Sequence, residues 1–270
     1  MVAGWNLDGR TALVTGGSRG LGFAIADALL QRGAAVAIVS RNDADVKTAA
    51  ARLEAAQGAS SSVLPIVADV TDDESVKAAV EEAYGWHGHL EILVNNAGPQ
   101  LAPSPISDVD EAIVASTLDT KLFGFLRFSR AALPHLASSG KGSIVNVAGA
   151  TAHVPVPNTG VTGIVNASVV ALTSFLASEA AAKGVRVNAI SPGMTKTEGW
   201  LAKNEAAAAQ RGVTADEVRA GVVQGLGIQL GRWAEPAEIG AAAAFLASDD
   251  ASYVTGQVLR VDGGLSKPVA

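Results

Sequence analysis

The chain of 270 residues contains no cysteine, which excludes disulfides, thiolate-ligated zinc, iron–sulfur clusters and thiol catalysis. Histidine is scarce too, and His87, His89, His135 and His153 are the only four. The one close pair, His87 and His89, stands beside Gly85 and Gly88 and reads as a turn, so no metal site is expected. Aromatic residues make up 4% of the chain, with Tyr84 and Tyr253 its only tyrosines. Charged residues are 17% and the formal net charge is −6, so the basic surface that a polyanion requires is missing and no nucleic-acid partner is expected. No stretch approaches the ~18 uninterrupted apolar residues of a membrane span, and no membrane partner is expected. Residues 1–10 show no apolar core behind a basic start, which argues against a secretory signal. The expectation is a soluble, cytoplasmic protein acting on a small molecule.

What the chain does have is apolar residues, 49% of the total, enough for a sizeable core. Short β-rich runs at 11–15, 35–40, 63–67, 92–94, 143–147, 185–190 and 257–261 alternate with amphipathic or Ala-rich stretches at 21–32, 44–57, 73–84, 131–137 and 168–183. Nearly continuous apolar strands, each followed by a helix, predict a parallel sheet covered on both faces. Seven of them with right-handed crossovers make one doubly wound α/β sheet. No Pro/Ser/Gly-rich linker divides the chain, so one domain is expected over 1–270. Two helices, one at 201–210 and one after Gly212, fall in the segment 194–229, which reads as a substrate lid.

The first strand runs into Thr15-Gly16-Gly17-Ser18-Arg19-Gly20-Leu21-Gly22 and then directly into a helix. Glycines at 16, 20 and 22 allow a sharp turn, a close approach of backbone to a pyrophosphate, and tight packing of helix on strand. The helix N-terminus then presents N–H groups and a positive dipole end to the phosphates. At the end of the second strand, where a carboxylate would hold a ribose 2′-hydroxyl, stand Ser40 and Arg41. An absent carboxylate with a guanidinium beside it favours a 2′-phosphate, hence NADP(H), and Arg19 adds a second positive charge.

With these residues in place the sequence resembles the short-chain dehydrogenase/reductase family over nearly its whole length. The matching pieces are TGGSRGLG at 15–22, ADVTD at 68–72, NNAG at 95–98, RAALPHL at 130–136, GSIVNV at 142–147, LTSFLASEAAAKGVRVNAISPGMTKT at 172–197 and TGQVLRVDGG at 255–264. The resemblance implies a Rossmann-like fold and roles for further residues. Asp69 and Val70 would contact the adenine ring, and Asn96, Ala97 and Gly98 would shape the end of the fourth strand beside the ribose. The segment 192–197, with Pro192, Gly193, Thr195 and Thr197, would hold the nicotinamide carboxamide and close over the phosphates. The resemblance also implies that the helices at 116–137 and 160–183 pair across subunits of a homodimer or homotetramer.

The family's catalytic residues are an Asn, a Ser and a Tyr-x-x-x-Lys pair, in which a phenol of lowered pKa protonates the carbonyl oxygen as hydride arrives. Counting back from Leu172-Thr173 and from Glu179 places the tyrosine position at Thr162 and the lysine position at Asn166. The serine position falls on Gly149, and the helical asparagine position, counted from Arg130, falls on Lys121. A Thr162 hydroxyl is a poor acid, whereas Asn166 retains an amide able to bond the nicotinamide ribose. Lys121 and His153 are the substitutes to consider. Lys121 either reaches the site or is a helix-surface lysine paired with Asp119 or solvent. His153, in a loop after the fifth strand, titrates in the range of a general acid.

Three functional readings follow. The first is an NADP(H)-dependent oxidoreductase that transfers hydride to an activated acceptor, an iminium or an activated C=C, which does not need the phenol. The second is a nucleotide-binding pseudoenzyme. The third is non-redox chemistry in the same pocket.

Overall fold

The computed structural model describes residues 5–57 and 62–267; residues 1–4 of the N-terminal segment considered for a secretory signal lie outside them. Seven parallel strands, β1 (Thr11–Thr15), β2 (Ala35–Ser40), β3 (Val63–Val67), β4 (Ile92–Asn95), β5 (Ser143–Val147), β6 (Arg186–Pro192) and β7 (Val258–Val261), form one sheet in the order β3-β2-β1-β4-β5-β6-β7. Nine α-helices accompany them among the described residues: α1 (Gly20–Leu30), α2 (Asp43–Gln57), α3 (Asp73–His87), α4 (Glu111–Leu118), α5 (Gly124–Ser138), α6 (Gly160–Ala181), α7 (Glu198–Arg211), α8 (Ala215–Leu226) and α9 (Pro236–Ala247).

Every residue of β1, β4 and β5 is buried, because helices cover both faces of the sheet. Side chains alternate between the faces along each strand. From β1, Ala12 and Val14 join a core with Ile25 and Leu29 of α1, Leu53 of α2 and Ile239 of α9. Leu13, between them, joins Val80 of α3, Phe128 of α5 and Leu176 of α6 on the opposite side. Strand order reverses between β1 and β4, and such sheets bind ligands in the crevice that this reversal opens at the strands' C-terminal ends.

Three points qualify these expectations. The helix expected at 116–137 forms as continuous helical backbone running from α4 into α5, with a π-helical turn at Asp119–Phe123 between them. Neither Pro nor Gly interrupts 119–123, so nothing in the composition announced the extra winding. His87 lies inside the last turn of α3 rather than in the turn expected there, and Gly88, at φ +76°, is the left-handed cap. Finally, α6 is 22 residues long with mean hydropathy 1.7, enough by length and composition to cross a bilayer. Here its Val169 packs on Phe125 and Ala148, and Leu176 and Ala180 enter the core on the α3–α5 face.

Candidate active site

The turn after β1 is built around the absence of side chains. Gly16 has φ +64°, and a Cβ there would lie 3.0 Å from both Ala97 Cα and Asn96 Nδ2. A Cβ on Gly22 would overlap the Gly16 carbonyl oxygen and come within 2.5 Å of Asn96 Nδ2. Asn96 fastens this turn to the end of β4 by donating through Nδ2 to the carbonyls of Thr15 (2.9 Å) and Gly16 (3.2 Å). In return, Thr15 Oγ1 accepts from the backbone N–H of Asn96 and of Ala97. The Asn96 Nδ2 is therefore engaged within the protein and shapes the turn.

Helix α1 begins after Arg19, whose side chain makes no cap hydrogen bond, whereas Asp72, Asp110 and Thr214 cap α3, α4 and α8. A helix N-terminus without a side-chain cap behind a glycine-rich turn suits a diphosphate. Ser18 Oγ donates to Ser40 Oγ (3.2 Å), bringing the turn beside the end of β2, and Arg19 and Arg41 are both exposed there. Asp69 receives the Thr71 backbone N–H and hydroxyl, which hold its carboxyl below the usual range, aided by the charges of Arg41 and Arg127. Val70 is buried against the place where a Gly124 Cβ would be, and its carbonyl accepts from Arg127 Nη1 at 3.2 Å. At the far end of the cradle, Thr197 approaches within 3.9 Å of where a Gly20 side chain would begin, and Thr195 Oγ1 donates to the Gly193 carbonyl. The segment after Pro192 thus reaches back to the turn.

One and two strands beyond the reversal, over the ends of β4 and β5, lies a second group of residues. Lys121 extends from the π-helical turn past Gly98, where an added Cβ would sit 3.2 Å from its Cδ. Its ammonium donates to Asn166 Oδ1 (2.7 Å) and to the Ala148 carbonyl (3.1 Å), and stands 5.9 Å from the centroid of the Phe125 ring. Asn166 Nδ2 donates in turn to Thr151 Oγ1 (2.8 Å). Gly149 makes room for that amide, since a Cβ there would come within 2.6 Å of Nδ2. Lys121 remains partly accessible along its length, but the protein packed around its ammonium pushes the pKa down to about 8. The surface pairing with Asp119 does not form, because Arg127 takes that carboxylate at 2.7 Å. Lysine is absent four residues after Thr162, yet an ammonium reaches Asn166 from another helix. Thr151 was not singled out in the sequence; its only signal is its place two residues after Gly149.

Thr162 is half-buried one turn ahead of Asn166 on α6. His153 makes no hydrogen bond to this group. Its Nε2 is buried without a partner, and burial together with the Arg260 charge lowers its pKa against the opposing pull of Asp262. Neither tyrosine is nearby: Tyr84 stacks on His135 between α3 and α5 (centroids 4.1 Å apart), and Tyr253 is fully exposed. Beneath the cluster a buried chain of polar groups ties both helices to the sheet. Asn95 Nδ2 donates to Ser129 Oγ of α5 and to Asn146 Oδ1, and Asn146 Nδ2 donates to Thr173 Oγ1 of α6. Among the described residues no cluster of three His, Cys, Asp or Glu side chains has the arrangement of a metal site.

A doubly wound sheet with an anion cradle at its reversal and polar side chains over the adjoining strand ends is the architecture of a dinucleotide-binding protein. Residues 16–266 match the enoyl-(acyl carrier protein) reductase family model. The chain is 38% identical over 257 residues to a cis-4-hydroxycyclohexanecarboxylate dehydrogenase of Sinomonas cyclohexanicum, covering 94% of this chain and 96% of that protein. It is 33% identical to a 3-oxoacyl-(acyl-carrier-protein) reductase of Vibrio cholerae, covering 96% and 98%. The crystal structure of L-sorbose reductase from Gluconobacter frateurii, complexed with NADPH and L-sorbose, superposes with a TM-score of 0.93 at 28% identity, covering 98% of this chain and all of that one. The chain belongs to the short-chain dehydrogenase/reductase family of oxidoreductases.

Proposed function

We propose that this protein is an NADP(H)-dependent oxidoreductase that acts on activated acceptors, an iminium or an activated C=C, through a non-standard site. The observation that carries the reading is the Lys121–Asn166 contact, which puts a cation over the ends of β4 and β5, beside the glycine-lined anion cradle. Gly16, Ser18, Gly20, Leu21 and Gly22 with the start of α1 would hold the pyrophosphate. Arg19, Ser40 and Arg41 would receive the 2′-phosphate, in keeping with the missing carboxylate at the end of β2 and with the NADPH of the sorbose reductase complex. Asp69, Val70, Ala97 and Gly98 would line the adenosine side; Asn166 and the segment of Pro192, Gly193, Thr195 and Thr197 would line the nicotinamide side. When bound, the reduced cofactor supplies hydride. Asn166 orients the ammonium of Lys121, Thr151 and Thr162 offer hydroxyls, and the 194–229 segment, carrying Trp200, covers the substrate as a lid. His153 stands at the β7 side of the site as a further proton carrier.

No phenol–ammonium pair is available, so a neutral ketone lacks its strong acid; losing a general acid slows such reactions by ~10²–10⁴. The test is NADPH consumption measured with panels of ketones, imines and enones, repeated for Lys121→Ala and His153→Ala. Ordinary rates on simple ketones, unaffected by both changes, would refute the reading. A homo-oligomer, dimer or tetramer, is part of this proposal: Ile113, Phe123, Leu126, Ile164 and Phe175 expose apolar surface along the α4–α6 side. Light scattering on the purified protein tests it.

A further inference from the structure

We propose that Lys121 selects the acceptor by charge, so that the site reduces neutral conjugated carbonyl compounds and rejects cationic iminium ions. This rests on the oxidoreductase reading and narrows its two acceptor classes to one.

An ammonium has three N–H donors. Two of those on Lys121 are committed, to Asn166 Oδ1 and to the Ala148 carbonyl, and among the described residues the third has no acceptor and no carboxylate forms an ion pair with the group. The charged side chains of the elements packed around it are turned elsewhere. Asp119 is held by Arg127, Arg130 by Asp73 and His135 by Glu81, while Glu111 and Glu179 lie at the distant ends of α4 and α6. The cation is thus without a counter-ion and lies at the Ala148 carbonyl, one residue past the end of β5, at the end of the sheet where such folds bind ligands. Reduction of a conjugated carbonyl adds hydride to the β-carbon, moves the C=C pair onto the carbonyl oxygen as an enolate, and ends when one solvent proton reaches the α-carbon. Negative charge develops opposite Lys121 in that reaction. An iminium instead brings a second positive charge into the same partly desolvated space, where like charges repel strongly.

The comparison is between a neutral cyclic enone and an N-methyl iminium salt, whose charge does not titrate, each assayed with NADPH from pH 6.5 to 9.5. The expected kcat/KM ratio favours the enone at pH 7 and falls about tenfold or more as the ammonium loses its proton. Lys121→Arg keeps the preference but loses its pH dependence, and Lys121→Met loses both. The double exchange Lys121→Asn with Asn166→Lys restores the preference, because it returns an ammonium to the same contact. A second readout does not need turnover: equilibrium dialysis of dinitrophenolate, an enolate mimic anionic throughout this range, in the presence of NADP+. Affinity is expected to fall about tenfold in Lys121→Met. Unchanged selectivity and unchanged phenolate affinity in Lys121→Met overturn the inference while leaving an active reductase in place. Phenolate binding that depends on Lys121 in a protein that reduces no acceptor overturns the oxidoreductase reading instead, and supports anion recognition by Lys121.

Discussion

Asn95 and Asn146 meet side by side on neighbouring strands, Nδ2 of the first 2.9 Å from Oδ1 of the second, in the fully buried layer beneath the candidate site. Through Ser129 and Thr173 this pair reaches both α5, which continues from the turn bearing Lys121, and α6, which bears Asn166.

Asn146→Ala leaves Asn95 Nδ2 short of one acceptor and Thr173 Oγ1 without its donor, in a place water does not reach. The expected loss of stability is ~1–3 kcal/mol, read from the shift in urea midpoint. A midpoint unchanged from wild type would show that the pair is not coupled to the fold.

Gly22→Ala drives a methyl group into the Gly16 carbonyl, which is backbone and cannot swing aside. The strain is ~1–3 kcal/mol. NADPH affinity, followed by nicotinamide fluorescence, should weaken by about tenfold or more as the turn opens.

Ser40→Asp places a carboxylate where the 2′-phosphate is proposed to lie. It should lower affinity for NADPH relative to NADH by ~10–100-fold. Arg41→Ser should act in the same direction, and titration with both cofactors separates the two effects. Equal binding of NADH and NADPH by wild-type protein would remove the basis for assigning Arg41 this role.

Lys121 also leaves a mark on stability. Its folded pKa, about 8, lies below the ordinary lysine value, so between the two the unfolded chain binds more protons than the folded one. Stability attributable to this residue therefore rises as pH increases from about 8 towards 10.5. Relative to Lys121→Met, the wild type should gain up to ~3 kcal/mol across that window, discounted to the extent that water reaches the ammonium. Parallel denaturation curves of the two proteins from pH 7 to 10 measure it. A constant difference would mean that Lys121 titrates as an ordinary surface lysine.

The strands at 11–15, 35–40, 63–67 and 143–147 were visible residue for residue: the interior ones because a strand covered on both faces is a largely apolar run, and the edge strand 63–67 because Val63, Leu64, Ile66 and Val67 form an apolar run around Pro65. The glycine turn was visible because Gly16 and Gly22 serve a local backbone geometry that no other residue type accommodates. Lys121 and Asn166 were visible singly but not as a pair. They are 45 residues apart, and what joins them is the winding of one helix and the lean of another, neither written in any short stretch of sequence. Thr151 escaped notice for the same reason: only the position of the Asn166 amide makes its hydroxyl part of the site.

The extra winding at Asp119–Phe123 puts α4 and α5 out of phase by one residue, equivalent to about 100° of rotation about a common axis. Phe125 and Phe128 face inward on α5 while Lys121, just upstream, still reaches over the strand ends. Deleting a single residue within 119–123 would bring the two segments back into step and leave one of those requirements unmet. The spare residue lets one continuous rod present a greasy side to the sheet and a charged side chain to the crevice.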